Sequence, residues 1–416
     1  MKNILLLGNG FDMRYNLPTK YVDFLHVVIF LQDHQGETFN TIGDVFSQQA
    51  LQETDEFIKA CYNAHSQTYN STPLEQDTVA EIISLTEKNL WFLYLRKVFD
   101  KDAGWIDFEK EIGYALKCFE RIFEKKMVFQ FHEDENHIRY VVALFGFLIQ
   151  RLIANRVTAP GTYTISSEYL LEKPIGSKKY EIDKNKIVDK LFEELASLVK
   201  ALRIYFQCFV ESTYALLSKE ETCDRMDFFS FMDKAITFNY THTYEALYFK
   251  DDVFHIHGDT NNEIVLGINS DEADDLSSVD TTFVRFKKYY QRTFFETDRE
   301  YLLWMNELIN TKTSYRLFAM GHSLDITDKD IIQELFENAE EIVILYHDSN
   351  AKGSYIANLI KLFGKSGFDA LKKEKKLTFL SLNSDLSSVK ELLSNESWQA
   401  LQVMVFSQEG EKITPM

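Results

Sequence analysis

The chain has 416 residues, and its 45% hydrophobic and 14% aromatic content is enough for a large core and excludes wholesale disorder. The formal net charge is −19, with 45 Lys and Arg against 64 Asp and Glu, which argues against a nucleic-acid partner because phosphate binding needs a basic surface. The four cysteines form no Cys-x-x-Cys pair, which is typical of a reducing compartment and excludes a four-cysteine zinc ribbon.

The first residues predict a strand and not a targeting signal. Met1–Asn3 is followed by an apolar run of four residues, Ile4–Leu7, which is too short for the core of a signal peptide. No later segment reaches the roughly 20 apolar residues of a membrane-spanning helix. We therefore expect a cytoplasmic protein with no membrane partner.

A short buried strand at residues 3–7 is predicted to run into a tight turn at Gly8–Gly10, and a helix follows from Tyr21. Residues 37–229 then show helical periodicity and little strand-like alternation. A stripe that begins at Leu191 and continues to Phe206 is one example. The sequence therefore predicts a large all-α insertion at 37–229, with loops at Asn63–Gln76 and Thr158–Lys184.

Short apolar runs return after residue 229 and alternate with helical segments. This alternation predicts a mainly parallel sheet covered by helices on both faces. The first strand has no partner near it in the sequence, so we expect it to join this later sheet. The prediction is a Rossmann-like α/β core of residues 1–36 plus 230–416. The predicted later strands are Ala235–Phe238, Val253–His257, Ile264–Gly267, Leu317–Met320, Ile342–Leu345 and Leu377–Leu382.

The first motif with chemical potential is Gly8-Asn9-Gly10-Phe11-Asp12. Glycines directly after a strand let a phosphate or ribose approach the backbone closely. The dinucleotide fingerprint has a third glycine where this chain has Met13. A plain turn between strand and helix is the alternative interpretation.

The second motif, Thr237–Thr241, also follows a predicted strand. Asn239 at such a strand end could orient a water molecule or a ribose hydroxyl. The alternative is that Asn239 or a neighbouring threonine caps a helix.

The third motif is His255-Ile-His257-Gly258-Asp259. Histidines two residues apart on a strand point the same way, which allows a metal site. Alternatively, His257 is a general base exposed at the strand end. We favour a functional role for His257 and a core role for His255.

The fourth motif, Gly321-His322-Ser323, follows another strand and offers a hydroxyl to a ribose or phosphate. Alone, it is a turn and a cap. Parallel strands, however, put all four motifs at one edge of the sheet.

Together these motifs resemble the AbiH family of phage abortive-infection proteins. The matching stretches are LLLGNGFDMRYNLPTKYVDFL, ITFNYTHTYE, HIHGD followed by VLGIN, and GHSLDITDKDI, with WIDFE at 105–109 in the insertion. The same motif order is similar, more distantly, to the sirtuin superfamily, in which such turns surround NAD. The four-cysteine zinc module of sirtuin deacylases is missing here, and sirtuin-like proteins in phage defence more often resemble NAD-consuming hydrolases.

The resemblance implies a sirtuin-like NAD pocket that needs no metal. It makes His257 the catalytic base and gives Asn239 the water- or ribose-positioning role. The residues expected to bind NAD or a related nucleotide are Gly8, Asn9, Gly10, Phe11, Asp12, Thr237, Tyr240, Gly258, Gly321, His322 and Ser323.

The leading hypothesis is therefore an antiphage enzyme that hydrolyses NAD to nicotinamide and ADP-ribose when a phage-derived trigger is sensed. Sensing would use the helical insertion or assembly into a homo-oligomer. One alternative is a metal-dependent nuclease or phosphoesterase that uses His255, His257 and Asp259, with His242 and His322 as further candidates. Another is a nucleotide-binding sensor without catalysis.

Overall fold

The computed structural model describes residues 1–47, 56–99, 106–124, 128–130, 135–150, 152–153, 156–157, 162–171, 181–220, 228–269 and 281–382. Within these residues the chain forms two compact units. Unit 1 comprises residues 1–18, 210–263 and 296–416, and unit 2 comprises 19–209 and 264–295.

The described strands are β1 (Lys2–Leu7), β2 (Val128–Gln130), β3 (Leu148–Gln150), β4 (Leu152–Ile153), β5 (Arg156–Val157), β6 (Thr162–Ile165), β7 (Lys234–Thr237), β8 (Val253–His255), β9 (Tyr315–Met320), β10 (Glu341–Tyr346) and β11 (Leu377–Ser381). The described α-helices are α1 (Gly10–Arg14), α2 (Tyr21–Asp33), α3 (Ile42–Phe46), α4 (Glu56–Ser71), α5 (Gln76–Thr86), α6 (Leu90–Phe99), α7 (Phe108–Phe123), α8 (Asn136–Leu144), α9 (Lys184–Tyr205), α10 (Tyr214–Glu220), α11 (Thr243–Tyr248), α12 (Lys288–Phe295), α13 (Arg299–Thr311), α14 (Lys329–Asn338) and α15 (Ser349–Lys373).

Unit 1 is built on a six-stranded sheet in the order β11-β10-β9-β1-β7-β8. Every pairing in this sheet is parallel. Counted along the chain, the strands stand in the order 3-2-1-4-5-6, which is the dinucleotide-binding arrangement of doubly wound α/β proteins. This confirms the predicted Rossmann-like α/β fold with a parallel sheet. The strand order reverses between β1 and β9, so the ligand crevice of such folds is expected at their carboxyl ends.

The central strands are apolar, as is typical of parallel sheets that are covered on both faces. β9 is buried at every position, and β1 is buried from Asn3 onward. The long helix α15 continues beyond a break at Gly364, where φ is +68°.

Unit 2 is mainly helical, and large buried aromatic side chains form its core. Phe24 on α2 packs edge-on against Phe92, Phe108 and Tyr205, with ring centroids 6.2, 6.3 and 5.5 Å away. The apolar stripe predicted from Leu191 lies on α9, and its buried residues and those of α6 contribute to this core.

The prediction that the insertion is all-α is wrong. β2, β6 and β3 form a three-stranded antiparallel sheet in that order, and β4 pairs with β5. These strands are two to four residues long, too short to show a clear alternation of apolar and polar residues. The loop predicted at Asn63–Gln76 is also wrong, because α4 continues through Ser71.

Unit 2 includes two segments that the predicted boundaries assigned to the core. One is α2, which the contacts of Phe24 hold in the aromatic core. The other is 264–295, where the predicted strand Ile264–Gly267 does not form a strand of the sheet. Ile268 makes an isolated bridge with Lys287, and Gln291 donates a hydrogen bond to the Leu266 carbonyl over 3.1 Å. A short apolar run does not reveal which partner buries it.

In the part of the chain that the structure describes, no helix combines the length and the apolar character needed to cross a bilayer.

Candidate functional site

The turns after β1 and β9 pack directly against each other at the point where the strand order reverses. The Gly8 amide donates to the Met320 carbonyl over 3.1 Å, and the Gly10 amide donates to the Gly321 carbonyl over 2.9 Å. A Cβ on Gly10 would lie 2.6 Å from the Gly321 Cα, and Gly321 itself has a φ of +70°. These glycines are therefore required for the close approach of the two turns.

Hydrogen bonding within the turn uses the amides that the sequence suggested for a phosphate. Besides Gly8 and Gly10, the Phe11 amide donates to the Gly8 carbonyl over 2.9 Å. The Phe11 ring is fully buried and packs edge-on against Tyr15, with centroids 5.3 Å apart. These three amides are therefore bonded within the protein, and the other polar groups of the turn include the side chains of Asn9, which is half-buried, and Asp12.

Asp12 is the buried carboxyl group of this turn. Thr241 donates a hydrogen bond to its Oδ2 over 2.5 Å, and no described residue donates one to its Oδ1. Burial raises the pKa of Asp12 to about 7, and the opposing effect of the hydrogen bond from Thr241 is smaller. The carboxyl group is therefore set to change protonation near neutral pH, as acid–base groups in active sites often are.

A line of hydroxyl groups leads away from Asp12. Thr243 donates to the Thr241 hydroxyl over 3.4 Å, and the Tyr214 hydroxyl lies 2.8 Å from the Thr243 hydroxyl. Burial, followed by the charge of Asp12, raises the pKa of Tyr214. Tyr214 is thus a neutral phenol at the end of this network.

Asn239 joins the ends of β7 and β1. Its side-chain amide donates to the Gly8 carbonyl over 3.1 Å, and its backbone amide donates to the Thr237 hydroxyl over 3.0 Å. The predicted pair Thr237 and Asn239 is therefore brought against the glycine turn, as expected for neighbouring parallel strands. The Tyr240 carbonyl accepts from the Thr260 amide over 3.0 Å, which fixes the chain after Asn239.

His257 lies beside the buried carboxylate of Asp328. Its Nε2 is 3.1 Å from Oδ1 of Asp328, and both side chains are buried. The other oxygen of Asp328 lies 3.4 Å from Nε2 of His322. Asp328 thus stands between two imidazoles that come from different strand ends.

The hydrogen bonds around His322 indicate its tautomer. Nδ1 of His322 accepts from the Leu324 amide over 3.0 Å, so in the neutral ring the proton sits on Nε2, facing Asp328. The Phe238 ring packs against both histidines, with its centroid 5.1 Å from the His257 ring and 4.3 Å from the His322 ring. An apolar wall of this kind strengthens the interaction between a carboxylate and an imidazole.

The remaining predicted residues have clear local roles. Gly258 has a φ of +72° and packs against the Glu263 carbonyl, which leaves no space for a Cβ. Ser323 is exposed, and its carbonyl accepts from Asn358 over 2.9 Å.

His255 belongs to a second cluster. Its Nδ1 lies 3.1 Å from the Asn239 carbonyl and its Nε2 lies 2.6 Å from Oε1 of Glu245. His242 stands next to it, with ring centroids 4.9 Å apart. The His-x-His-x-Asp set therefore does not converge, because His257 faces Asp328 while His255 faces Glu245.

His242 is held by Glu211, whose Oε1 lies 2.8 Å from its Nδ1. Burial lowers the pKa of His242, but the hydrogen bond to Glu211 and the charges of Glu211, Glu245 and Asp259 outweigh it and raise the pKa. Among the described residues, His242, Glu245 and His255 are the group of ligand atoms close enough to share a metal ion.

Sequence reasoning did not assign a catalytic or binding role to Asp328, Thr241, Thr243, Tyr214, Glu211 and Glu245. Three of these residues follow Asn239 closely in the sequence: Thr241, Thr243 and Glu245. That proximity could have indicated that they lie near the same site. The pairing of Asp328 with His257 had no local signal.

A comparison with protein-family models gives one match, the bacteriophage abortive infection protein AbiH, over residues 4–347. No curated protein and no solved structure matches the chain. The family match begins in β1, ends just after β10 and includes all four strand-end motifs. The chain therefore belongs to the AbiH family of bacteriophage abortive infection proteins.

Proposed function

We propose that this AbiH protein acts in phage abortive infection by hydrolysing NAD to nicotinamide and ADP-ribose when infection triggers it. One observation carries the proposal: the buried His257 lies 3.1 Å from Asp328 at the carboxyl edge of a 3-2-1-4-5-6 sheet. This edge is where doubly wound folds bind dinucleotides. An oriented imidazole there is the group that a hydrolytic reaction needs.

The reaction requires the protein to position the substrate and to supply a base. Nicotinamide leaves as a neutral molecule from a cationic ring, so no acid is needed to protonate it. The ribose carbon then develops oxocarbenium character, as in glycoside hydrolysis. A base beside a ribose hydroxyl or the attacking water completes the reaction, and a positioned base contributes about 10²–10⁴-fold to the rate.

His257 is the proposed base, and Asp328 is its positioning residue. The contact between Nε2 of His257 and Oδ1 of Asp328 has the distance of an ion pair but does not meet the geometry of a hydrogen bond. When the ring takes up a proton, the nearby carboxylate stabilises the imidazolium. His322 keeps the same carboxylate oriented from its other side.

Asn239 is proposed to place the attacking water or a ribose hydroxyl. Its amide nitrogen is already bound to Gly8, so its Oδ1 is the atom offered to a ligand. Asp12, with a pKa of about 7, supplies a second polar group beside Asn239. Holding reactants in this way lowers the entropic part of the barrier.

The sensing step is assigned to unit 2 or to assembly of a homo-oligomer, with a phage-derived trigger. The separation of a mainly helical unit from the Rossmann-like unit supports this division of roles.

The test compares bacteria that express the full-length chain, or its variants, during infection by a phage that the wild-type chain restricts. NAD, nicotinamide and ADP-ribose are measured by chromatography through the infection. The wild-type chain is expected to deplete NAD with release of nicotinamide and ADP-ribose. His257→Gln, Asn239→Ala and Asp328→Asn are expected to abolish depletion, because the base, the water-positioning group and the orientation of the base are lost.

The matched control is His347→Ala. His347 also follows a strand of this sheet, but its side chain is 70% exposed. It should deplete NAD like the wild-type chain. Thermal melts of the purified variants separate loss of chemistry from loss of fold. Constant NAD in cells that the wild-type chain protects would disprove the proposal, and intact nucleotide in the purified protein would favour the sensor interpretation.

A further inference from the structure

The cluster of His242, Glu245 and His255 is separate from the Asp328 site and has no role in the proposed reaction. His242 precedes α11, Glu245 lies on α11 and His255 ends β8. One potential ligand atom from each of the three lies within 4.8 Å of the others. An ion bound there would join α11 to β8 across the turn that connects them.

In both histidines, Nδ1 contacts an oxygen atom of the protein, which leaves Nε2 to bind a ligand. A backbone carbonyl can only accept, so Nδ1 of His255, 3.1 Å from the Asn239 carbonyl, carries a hydrogen. Nδ1 of His242 likewise faces the Glu211 carboxylate over 2.8 Å. Metal-bound histidines in proteins almost always make this contact with a carbonyl or carboxylate through the nitrogen that does not bind the metal.

The inner contact between His255 and Glu245 requires a positive charge. Nε2 of His255 and Oε1 of Glu245 are 2.6 Å apart, and both atoms carry lone pairs when the ring is neutral and the carboxylate ionised. Only a proton or a metal ion between them makes so short a contact favourable. The second carboxylate oxygen, Oε2, is buried and accepts no hydrogen bond from any described residue.

From these contacts we infer that the chain binds one Zn²⁺ ion through Nε2 of His242, Nε2 of His255 and the carboxylate of Glu245. Two imidazoles and a carboxylate are a ligand set that zinc accepts, and three protein ligands leave a fourth position for water. Ligand atoms of one zinc ion lie about 3.4 Å apart when each is about 2.1 Å from the metal. Glu245 and His255 would therefore separate by roughly 0.8 Å on binding.

Asp259 is the further group that faces the cluster. Its Oδ1 lies 3.7 Å from Nε2 of His242, and the Asn261 side-chain amide lies 3.4 Å from the same nitrogen. The carboxylate adds negative charge beside the site.

The test uses purified full-length protein that has been stripped with a chelator and then titrated with Zn²⁺ in competition with a chromogenic chelator. The wild-type chain is expected to bind one Zn²⁺ per chain and to melt at a higher temperature with the ion. His242→Ala and Glu245→Gln are expected to lower the affinity at least tenfold. His347→Ala, the exposed histidine control, is expected to bind like the wild-type chain.

Substitution with Co²⁺ gives a readout on the wild-type chain alone, independent of whether a variant folds. A visible absorption band of four-coordinate Co²⁺ with nitrogen and oxygen ligands is expected. A wild-type chain that binds no Zn²⁺ would overturn the inference. Loss of the ion in His257→Gln with retention in His242→Ala would also overturn it, because the ion would then belong to the Asp328 pair. Neither result bears on NAD hydrolysis, which is measured separately.

Discussion

Asn239 donates a hydrogen bond from its side-chain amide to the carbonyl oxygen of Gly8, 3.1 Å away and 231 positions earlier in the chain. The same residue that we propose for water placement therefore also fastens β7 to β1. Function and stability can be separated at this position, because only the amide nitrogen serves the fold.

Asn239→Asp is expected to lower the free energy of unfolding by about 0.5–1.5 kcal/mol, because the Gly8 carbonyl loses this hydrogen bond and keeps the one from the Phe11 amide. Chemical denaturation measures the change. Asn338→Asp is the matched control, since its amide also bonds a carbonyl, that of Glu334, but in an exposed position. It should change stability by less than about 0.5 kcal/mol. Equal effects at the two positions would contradict the structural role given to Asn239.

Because the turns after β1 and β9 are in close contact, we expect one added methyl group there to lower the stability of the fold strongly. Gly321→Ala places a Cβ 2.6 Å from the Gly10 carbonyl carbon and forces a φ of +70° on alanine. The expected loss is about 2–4 kcal/mol, from overpacking and backbone strain together. Thermal melts of purified protein measure it.

Gly353→Ala is the control for the same chemical change. Gly353 lies in α15 with open space around its Cα, so the added methyl group meets nothing within 4 Å. Alanine is the better helix former, and the variant should gain about 0.5–1 kcal/mol. A gain at Gly321 would show that the turns are not packed as described.

The raised pKa of Asp12 predicts how stability depends on pH. The carboxyl group has a pKa of about 7 in the folded chain and near 3.8 when unfolded, so the folded state holds the proton more tightly. Its contribution to stability is full below about pH 4, declines as pH rises to 7 and is constant above. The slope is at most about 1.4 kcal/mol per pH unit.

Asp12→Asn removes this dependence, so the variant should gain stability relative to the wild-type chain as pH rises from 5 to 8. Denaturation at several pH values measures the difference. Asp77→Asn, at an exposed position on α5, should leave the profile unchanged. A difference between Asp12→Asn and the wild-type chain that stays constant with pH would contradict the raised pKa.

A buried ion pair holds the segment 264–295 within unit 2. Nζ of Lys288 lies 2.7 Å from Oε2 of Glu109, and the lysine side chain is 1% exposed. Lys288→Met leaves the Glu109 carboxylate without this cation, and we expect a loss of about 3–5 kcal/mol. Adding Glu109→Gln should restore part of it, because the unpaired charge is removed.

The control for this pair is Lys200 with Glu81. These side chains are also 2.7 Å apart, but each is close to half exposed. Lys200→Met should lower stability by no more than about 1 kcal/mol. A similar small loss in Lys288→Met would show that the buried pair does not hold the segment.

The parallel sheet could be predicted because its strands are short apolar runs followed by polar turns. The meeting of Asn239 with Gly8 followed from that alone, since parallel strands end at one edge. Ile264–Gly267 has the same apolar character, but its burial against other parts of unit 2 is decided by tertiary packing. The role of Asp328 could not be predicted for the same reason, because its partner His257 lies 71 positions away.

The pairing of β1 has a consequence for the order of events during folding. Ile4 is in register with Lys234, and Lys2 with Tyr315, so the first strand must wait for partners made much later. Closing loops of that length is slow compared with the local pairing of helices. On the ribosome, unit 2 can therefore begin to assemble while β1 is still unpaired. The proposed nucleotide site lies at the carboxyl ends of β1 and β9, so it cannot form until β9 has been synthesised. The nascent chain is therefore expected to be inactive toward NAD for most of its synthesis.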